Sequence, residues 1–260
     1  MSVLEKSTLI LDLVAESPEA ATLTSIAQRL GQPRSSVHRL LSELVQLGLL
    51  YRVGSTTYAP GPRLLRWGQA ANQVAHIVKV AQPVMVTLRD AIGESVHLYV
   101  RQRDKRVCVA AVEGNFELRH FTEVGKPLPL SVGASGKLLL AHASSSVQEQ
   151  ELKRVAAEPV SPRAPRLQEL RAQIQEILET DWTMSFGERE EGLAAAAAPI
   201  RDSTGTVVAA LSVSGPTARL TAERFEELRE QISDAADAIG RAFGSAGPSL
   251  TTISRAAAAG

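Results

Sequence analysis

The chain has 260 residues, which is enough for two domains of ordinary size. Its 28 basic and 28 acidic residues cancel, so no overall electric field draws it towards nucleic acid or a membrane surface. Hydrophobic residues make up 44% of the chain and charged residues 22%, as in a soluble globular protein, and no apolar run approaches the roughly 20 residues that a membrane-spanning helix needs.

The N-terminus and the single cysteine both favour a cytoplasmic location. Residues 1–13 carry Glu5, Lys6 and Asp12, which excludes a secretory signal peptide. Cys108 lies in the apolar run RVCVAAV and has no second cysteine with which to form an intramolecular disulfide. We therefore expect a packed, reduced thiol at this position rather than a reactive one.

The first 62 residues predict a small helical domain that ends in a β-hairpin. Residues 3–14 form an amphipathic helix, and residues 23–30 form a second one with apolar positions at helical spacing. Gly31 then ends that helix, because glycine enters the left-handed region without steric cost. A short turn after it leads directly into a third helix.

This third helix has the composition of a DNA-recognition helix. Gln32 is placed at its cap and Pro33 at its first position, where a proline has no helical N–H bond to lose. One face of the helix is apolar, and the other carries small or hydrogen-bonding side chains in the turns that would meet bases and phosphates. The apolar positions are Val37, Leu40, Leu41 and Leu44, and the polar ones are Arg34, Ser35, Ser36, His38, Arg39 and Ser42. An ordinary amphipathic hairpin remains the alternative.

The residues that follow predict the wing of a winged helix-turn-helix. A strand over residues 49–52, a turn over residues 54–56 and a strand over residues 57–59 place Arg52 and the turn against the DNA backbone or the minor groove. The predicted DNA contacts are therefore Gln32, Arg34, Ser35, Ser36, His38, Arg39, Arg52 and Ser55.

Residues 63–76 are predicted to link two domains. A helix over residues 63–74 carries an apolar stripe that includes Leu65 and Trp67. Pairing with the same helix of a second copy would bury this stripe, so the stripe predicts a homodimer. Packing against its own domain is the alternative.

Residues 77–243 predict an α+β domain with one antiparallel sheet flanked by helices. Helices are expected at 77–92 with Pro83 in its first turns, at 133–142, in a short helix opened by a capping box from Ser146 to Glu149, at 167–180 and at 221–243. Strands are expected at 94–101, 106–113, 182–186, 193–201 and 207–214, with weaker extended segments at 116–121 and 126–132. Residues 244–260 are expected to be a disordered tail.

Four segments, in this order, resemble the IclR family of bacterial transcription regulators over residues 3–243. They read LTSIAQRLGQPRSSVHRLLSELVQLGLL, YAPGPRLLRWG, VGKPLPLSVGASGKLLLA and FGEREEGLAAAAAPIRDSTGTVVAALSVSGPTARLT. The resemblance implies a winged helix-turn-helix, a linker helix and a GAF-like domain that binds a small effector. It also implies homodimers, often paired into dimers of dimers, on palindromic double-stranded operators. From the residues themselves we expect no cofactor and no metal.

The resemblance also implies where the effector binds. Carried over to this chain, the pocket residues are Leu130, Ala134, Ser135, Gly136, Ser185, Glu188, Ala195 and Ala197. Independently of the family, Ala134, Ser135 and Gly136 would present free backbone N–H groups at a helix N-terminus, which stabilises a carboxylate. The alternative is that the neighbouring glycines only permit a tight turn from strand to helix.

Three positions depart from the family pattern, which usually has a small residue at Asp181, an aliphatic one at Ala196 and an aromatic one at Arg201. The alanine run 194–198 predicts short apolar pocket walls, and hence an aromatic or other bulky organic acid as effector rather than a two- or three-carbon acid. Glu188 could accept a hydrogen bond from a ligand hydroxyl or amide, although such an acid is more often part of a solvated turn.

Two other classes of function are alternatives to this one. An enzyme using Ser135 is disfavoured, because the segment lacks the second glycine of a nucleophile elbow and the pattern of a phosphate loop. Histidine and cysteine are also too scattered for a zinc site. A sensor module without DNA binding stays open, and the exposed pair Arg34 and Arg39 distinguishes it from a DNA-binding protein.

Overall fold

The computed structural model describes residues 2–70 and 72–244, so the expected disordered tail lies almost wholly outside the described residues. Contacts divide the chain into two compact units between Ala75 and His76, within one helix. Among the described residues, no helix is both long and apolar enough to cross a membrane.

The first unit is a helical bundle with a two-stranded hairpin. It contains α1 (Val3–Glu16), a short 3-10 helix (Pro18–Ala20), α2 (Leu23–Leu30), α3 (Arg34–Gln46), β1 (Leu50–Val53), β2 (Thr57–Pro60) and α4 (Pro62–Ala70). Its core is apolar and receives side chains from all three N-terminal helices and from both strands. They include Ile10, Val14, Ile26, Val37, Leu41, Leu44, Leu50 and Tyr58. The expected winged helix-turn-helix is confirmed.

The turn between α2 and α3 differs in one detail from the prediction. Gly31 adopts the expected left-handed conformation, at φ 60° and ψ 34°. The expected cap at Gln32 is wrong, because Pro33 is the cap residue and the helix begins at Arg34. Gln32 instead accepts a hydrogen bond from Lys6 Nζ at 2.9 Å, which joins the turn to α1.

The second unit contains one six-stranded antiparallel sheet. Its helices are α5 (Asn72–Ile92, of which residues 76–92 belong to this unit), α6 (Ala134–Ala141), α7 (Ser145–Ala157), α8 (Leu167–Thr180) and α9 (Ala222–Gly244). Its strands are β3 (Ser95–Gln102), β4 (Lys105–Val112), β5 (Pro127–Pro129), β6 (Thr183–Phe186), β7 (Leu193–Arg201) and β8 (Val207–Pro216), in the sheet order β5-β4-β3-β8-β7-β6. The α+β class is confirmed.

The two faces of this sheet bury different helices. Because side chains alternate along a strand, Ala194, Ala196 and Ala198 of β7 pack in the cluster that includes α5 and α9. Ala195 and Ala197 pack in the other cluster, with α6 and α8. The expected wall of five alanines is therefore wrong, since at most alternate residues of β7 can face one cavity.

Four further details of the prediction are corrected. Segment 116–121 forms no strand, and β5 rather than this segment pairs with β4. Segment 126–132 keeps only the three residues of β5. Helix α5 begins at Asn72, so Pro83 lies in its interior. Helix α7 has 13 residues and begins after Ser144 without a side-chain cap hydrogen bond, in place of the short helix with a capping box from Ser146.

Two of the residues that depart from the family pattern form one ion pair. Asp181 ends α8 in the left-handed conformation, at φ 51°. Arg201 Nη2, near the end of β7, lies 2.7 Å from both carboxylate oxygens of Asp181. The two unusual residues are thus partners, which tie the end of α8 to the sheet.

Candidate DNA-binding face and ligand cavity

The polar face of α3 is exposed as its pattern predicts. Val37, Leu40, Leu41 and Leu44 are buried, whereas Ser42 is only partly buried. The other residues predicted on this face are exposed, namely Arg34, Ser35, Ser36, His38 and Arg39.

The two arginines of this face are held only weakly. Arg34 Nη2 donates to Thr24 Oγ1 at 2.9 Å, a neutral partner on α2. Arg39 Nε lies 3.9 Å from Glu43 Oε1, and the two side chains are 75% and 55% exposed. An ion pair this open to water contributes little, so both guanidiniums are available to phosphates or base edges.

The wing holds its arginine more tightly. Arg52 Nη2 donates to the Ser55 carbonyl oxygen at 2.6 Å, and its guanidinium lies 5.7 Å from the centre of the Tyr58 ring. Ser55 is exposed at the turn. The wing is thereby stiffened by the residue predicted to contact DNA, while Gln32 is partly buried against α1.

The second unit encloses a cavity of about 30 Å³ between the start of α6, the strands and loop 187–192. This is roughly the volume of one water molecule in the liquid. The lining residues are Tyr99, Arg106, His120, Gly133, Ala134, Ser135, Ser185, Glu188, Arg189, Leu193, Ala195, Ser212 and Ser214. Five residues of the predicted pocket are among them: Ala134, Ser135, Ser185, Glu188 and Ala195. The other three, Leu130, Gly136 and Ala197, do not line the cavity.

The start of α6 is already bound by side chains of the protein. Gly133 N–H donates to Glu188 Oε2 at 2.7 Å, and Ala134 N–H donates to Ser185 Oγ at 3.2 Å. Gly136 N–H donates to the Gly133 carbonyl oxygen. Two of the three N–H groups expected to be free, those of Ala134 and Gly136, are therefore engaged, and the Glu188 carboxylate binds the N–H of Gly133 just before them.

Glu188 is fixed by a second, ionic contact. Lys137 Nζ lies 2.5 Å from Glu188 Oε1 and also donates to the Met184 carbonyl oxygen at 3.2 Å. The Lys137 side chain is 1% exposed and that of Glu188 11%. This buried pair holds loop 187–192 against α6 and keeps the cavity small.

Arg106 enters the cavity from β4 and is buried. Its Nη1 donates to the carbonyl oxygens of Pro129 and Val132, each at 2.5 Å. The guanidinium carbon lies 5.5 Å from the centre of the Tyr99 ring. Burial lowers the pKa of Arg106 to about 10, because lost hydration outweighs the attraction of Tyr99 and Glu188.

A directed chain of hydrogen bonds runs from the cavity rim into the sheet. Arg189 Nη2 lies 2.7 Å from His120 Nε2, and a guanidinium only donates, so the His120 proton is on Nδ1. That proton is donated to Ser214 Oγ at 2.8 Å, and the Ser214 hydroxyl donates to His97 Nδ1 at 3.2 Å. Burial lowers the pKa of His97 to about 3 and that of His120 to about 4, and the charge of Arg189 adds to both effects.

These two histidines should make the protein less stable as the pH falls. The unfolded chain takes up a proton on each near pH 6.5, whereas the folded chain does so only near 3 or 4. The free energy of unfolding should therefore decrease by about 1 kcal/mol per pH unit for each histidine between pH 6.5 and 5. Urea unfolding at several pH values checks this. If the unfolding free energy of His97→Gln fell with pH as steeply as that of the wild type, the contribution of His97 would be contradicted.

Four of the cavity residues that the sequence did not predict share one signal. Tyr99, Arg106, Ser212 and Ser214 are polar side chains inside apolar strands, and all four are buried. A polar group in such a position needs a partner, which marks a candidate site. His120 and Arg189 lie in loops and carry no such signal.

Comparison with known proteins identifies relatives of both units. A family model described as the IclR helix-turn-helix domain matches residues 3–54, and one described as the bacterial transcriptional regulator IclR C-terminal domain matches residues 69–241. The chain is 32% identical over 244 residues to the HTH-type transcriptional regulator KipR of Bacillus subtilis, covering 92% of this chain and 96% of that protein. It is 28% identical to the transcriptional repressor IclR of Escherichia coli, covering 90% and 87%.

Solved structures agree with these relatives. An IclR homologue from Microbacterium hydrocarbonoxydans, complexed with 4-hydroxybenzoate, superposes with a TM-score of 0.78 at 26% identity and covers 94% of this chain and 100% of that one. The Thermotoga maritima IclR structure gives a TM-score of 0.73 at 26% identity, covering 93% and 98%.

Proposed function

Because this chain belongs to the IclR family and is a DNA-binding transcriptional regulator with an effector-binding domain, we propose that it controls a catabolic operon for an aromatic or other bulky organic acid. The observation that carries this proposal is the lining of the cavity. Two guanidiniums, Arg106 and Arg189, and the hydroxyl of Ser135 line one small space. Such a set of donors suits a carboxylate.

The size of the acid is inferred from the ligand of a similar solved structure and from the small side chain of Ala195 in the cavity wall. The Microbacterium homologue was crystallised with 4-hydroxybenzoate. In this chain Ala195 contributes only a methyl group to the cavity. A benzoate-sized ligand is larger than the present cavity of about 30 Å³, so its binding requires the cavity to widen. Tighter binding of glyoxylate or pyruvate than of any benzoate-like acid, measured by isothermal titration, would contradict this effector class.

We propose a homodimer, alone or as a dimer of dimers, as the form that binds DNA. On helix α4 the side chains of Leu65 and Trp67 are 68% and 51% exposed. Together they form an apolar stripe that a second copy of the chain would cover. A dimer would place two α3 helices in successive major grooves, so the operator should be a palindrome with half-sites about 34 Å apart or a multiple of that distance. The eight DNA contacts predicted from the sequence belong to this proposal.

Fluorescence anisotropy with DNA from the region upstream of the protein's own gene tests the regulatory proposal. We expect saturable, sequence-selective binding that falls as salt is raised and that one aromatic acid in a panel changes at least about tenfold. An effector can shift DNA affinity only by its differential affinity for the two states of the protein. Selective DNA binding that no acid alters would contradict the organic-acid effector and leave the DNA-binding role intact.

A further inference from the structure

Arg106 is a buried cation without an acidic partner. It is 3% exposed, and within the described part of the chain no carboxylate lies within ion-pair distance of it. Its Nη1 is used by two backbone carbonyls, and its Nε is buried without any hydrogen-bond partner. A buried charge normally has a counter-ion, so Arg106 lacks a negatively charged partner.

The other charged groups around the cavity do not provide a counter-ion for Arg106. Both oxygens of Glu188 are engaged, one by Lys137 Nζ and one by Gly133 N–H. Arg189 pairs with Glu190 at 3.1 Å, and Glu190 is 63% exposed. The lining therefore holds more positive than negative charge, and Arg106 is the more buried of its two cations.

The backbone around α6 is built to leave room for this guanidinium. A Cβ at Gly136 would lie against Arg106 Nη1, at 2.1 Å, and one at Gly133 would lie 3.0 Å from Nη2. The two glycines thus do more than permit a tight turn. They let a cation reach the same helix N-terminus that lines the cavity.

We propose that Arg106 binds the carboxylate of the effector, whose negative charge completes this site. This inference rests on the proposed organic-acid effector and narrows it to ligands that are ionised at the end that meets Arg106. Neutral isosteres of the same shape, such as amides, are excluded as effectors. Arg106 also joins the ligand to the segment before α6 through its contacts with the Pro129 and Val132 carbonyls.

Matched acid and amide ligands test this assignment. Isothermal titration compares 4-hydroxybenzoate, pyruvate and adipate with their amides on the full chain. We expect the tightest-binding acid to bind at least about 30-fold more tightly than its amide, because a charge-assisted bidentate contact is lost in the amide. In Arg106→Gln this preference should fall below about threefold, with the affinity for the amide little changed.

The control is Arg171→Gln, which removes the same charge from an exposed position of α8 outside the cavity lining and should keep the preference. A preference that survives in Arg106→Gln, or an equal loss of acid and amide binding, would overturn the assignment in favour of a purely structural arginine. Failure of all three acids to bind the wild type would instead contradict the proposed organic-acid effector itself.

A measurement on the unaltered protein covers the case in which Arg106→Gln does not fold. The pKa of the bound acid, followed by NMR of a ¹³C-labelled carboxyl group, should lie at least about one unit below its value in water, because a buried cation favours the ionised form. A bound pKa that is unchanged or raised would overturn the assignment.

Discussion

Replacing both exposed arginines of α3 should abolish specific DNA binding and leave the fold and effector binding intact. In Arg34→Gln/Arg39→Gln, we expect the affinity for the operator to fall at least about 100-fold, since a good arginine contact to a base or phosphate contributes about 1–3 kcal/mol and a dimer loses four of them. Both side chains are exposed and neither supports the core, so stability should change little. Anisotropy with operator DNA measures the loss.

A matched double variant distinguishes the loss of DNA contacts by α3 from the loss of two positive charges. Lys153→Gln/Arg171→Gln removes the same two charges from exposed positions of α7 and α8 in the other unit. Its DNA affinity should stay within about threefold of the wild type if α3 supplies the contacts. Equal losses in the two double variants would contradict the assignment of α3 as the recognition helix.

Lys137→Met should destabilise the second unit by about 3–5 kcal/mol, because it leaves the Glu188 carboxylate nearly buried without its ionic partner. Glu188 would keep only its contact with Gly133 N–H. Urea unfolding at pH 7 measures the change. The same variant should also loosen loop 187–192 from α6, which hydrogen exchange of that loop would detect.

The double variant Lys137→Met/Glu188→Gln should recover most of this loss, since a neutral amide can still accept from Gly133 N–H. As an exposed counterpart, Lys126→Met breaks the Lys126–Glu123 pair, whose side chains are 58% and 41% exposed, and should cost less than about 0.5 kcal/mol. A double variant as unstable as Lys137→Met alone would contradict a buried ion pair as the cause.

The sequence alone determined the features that depend on neighbouring residues. Helix α8 spans 167–180 as predicted, and α3 exposes the polar face that its periodicity indicated. The left-handed turn at Gly31 and the wing were predicted for the same reason. Periodicity, turn conformation and hairpin pairing depend on residues a few positions apart, so they can be predicted from the local sequence.

The ligand cavity was decided only by the tertiary structure. His97 and Ser214 are 117 positions apart, yet they meet because β3 pairs with β8 in the centre of the sheet. Glu188 occupies the start of α6 and Arg106 reaches it from β4, although no local pattern relates these residues. Which strands pair, and which polar side chain then faces the cavity, depends on the packing of the whole unit, and such non-local contacts leave no trace in the periodicity of any single segment.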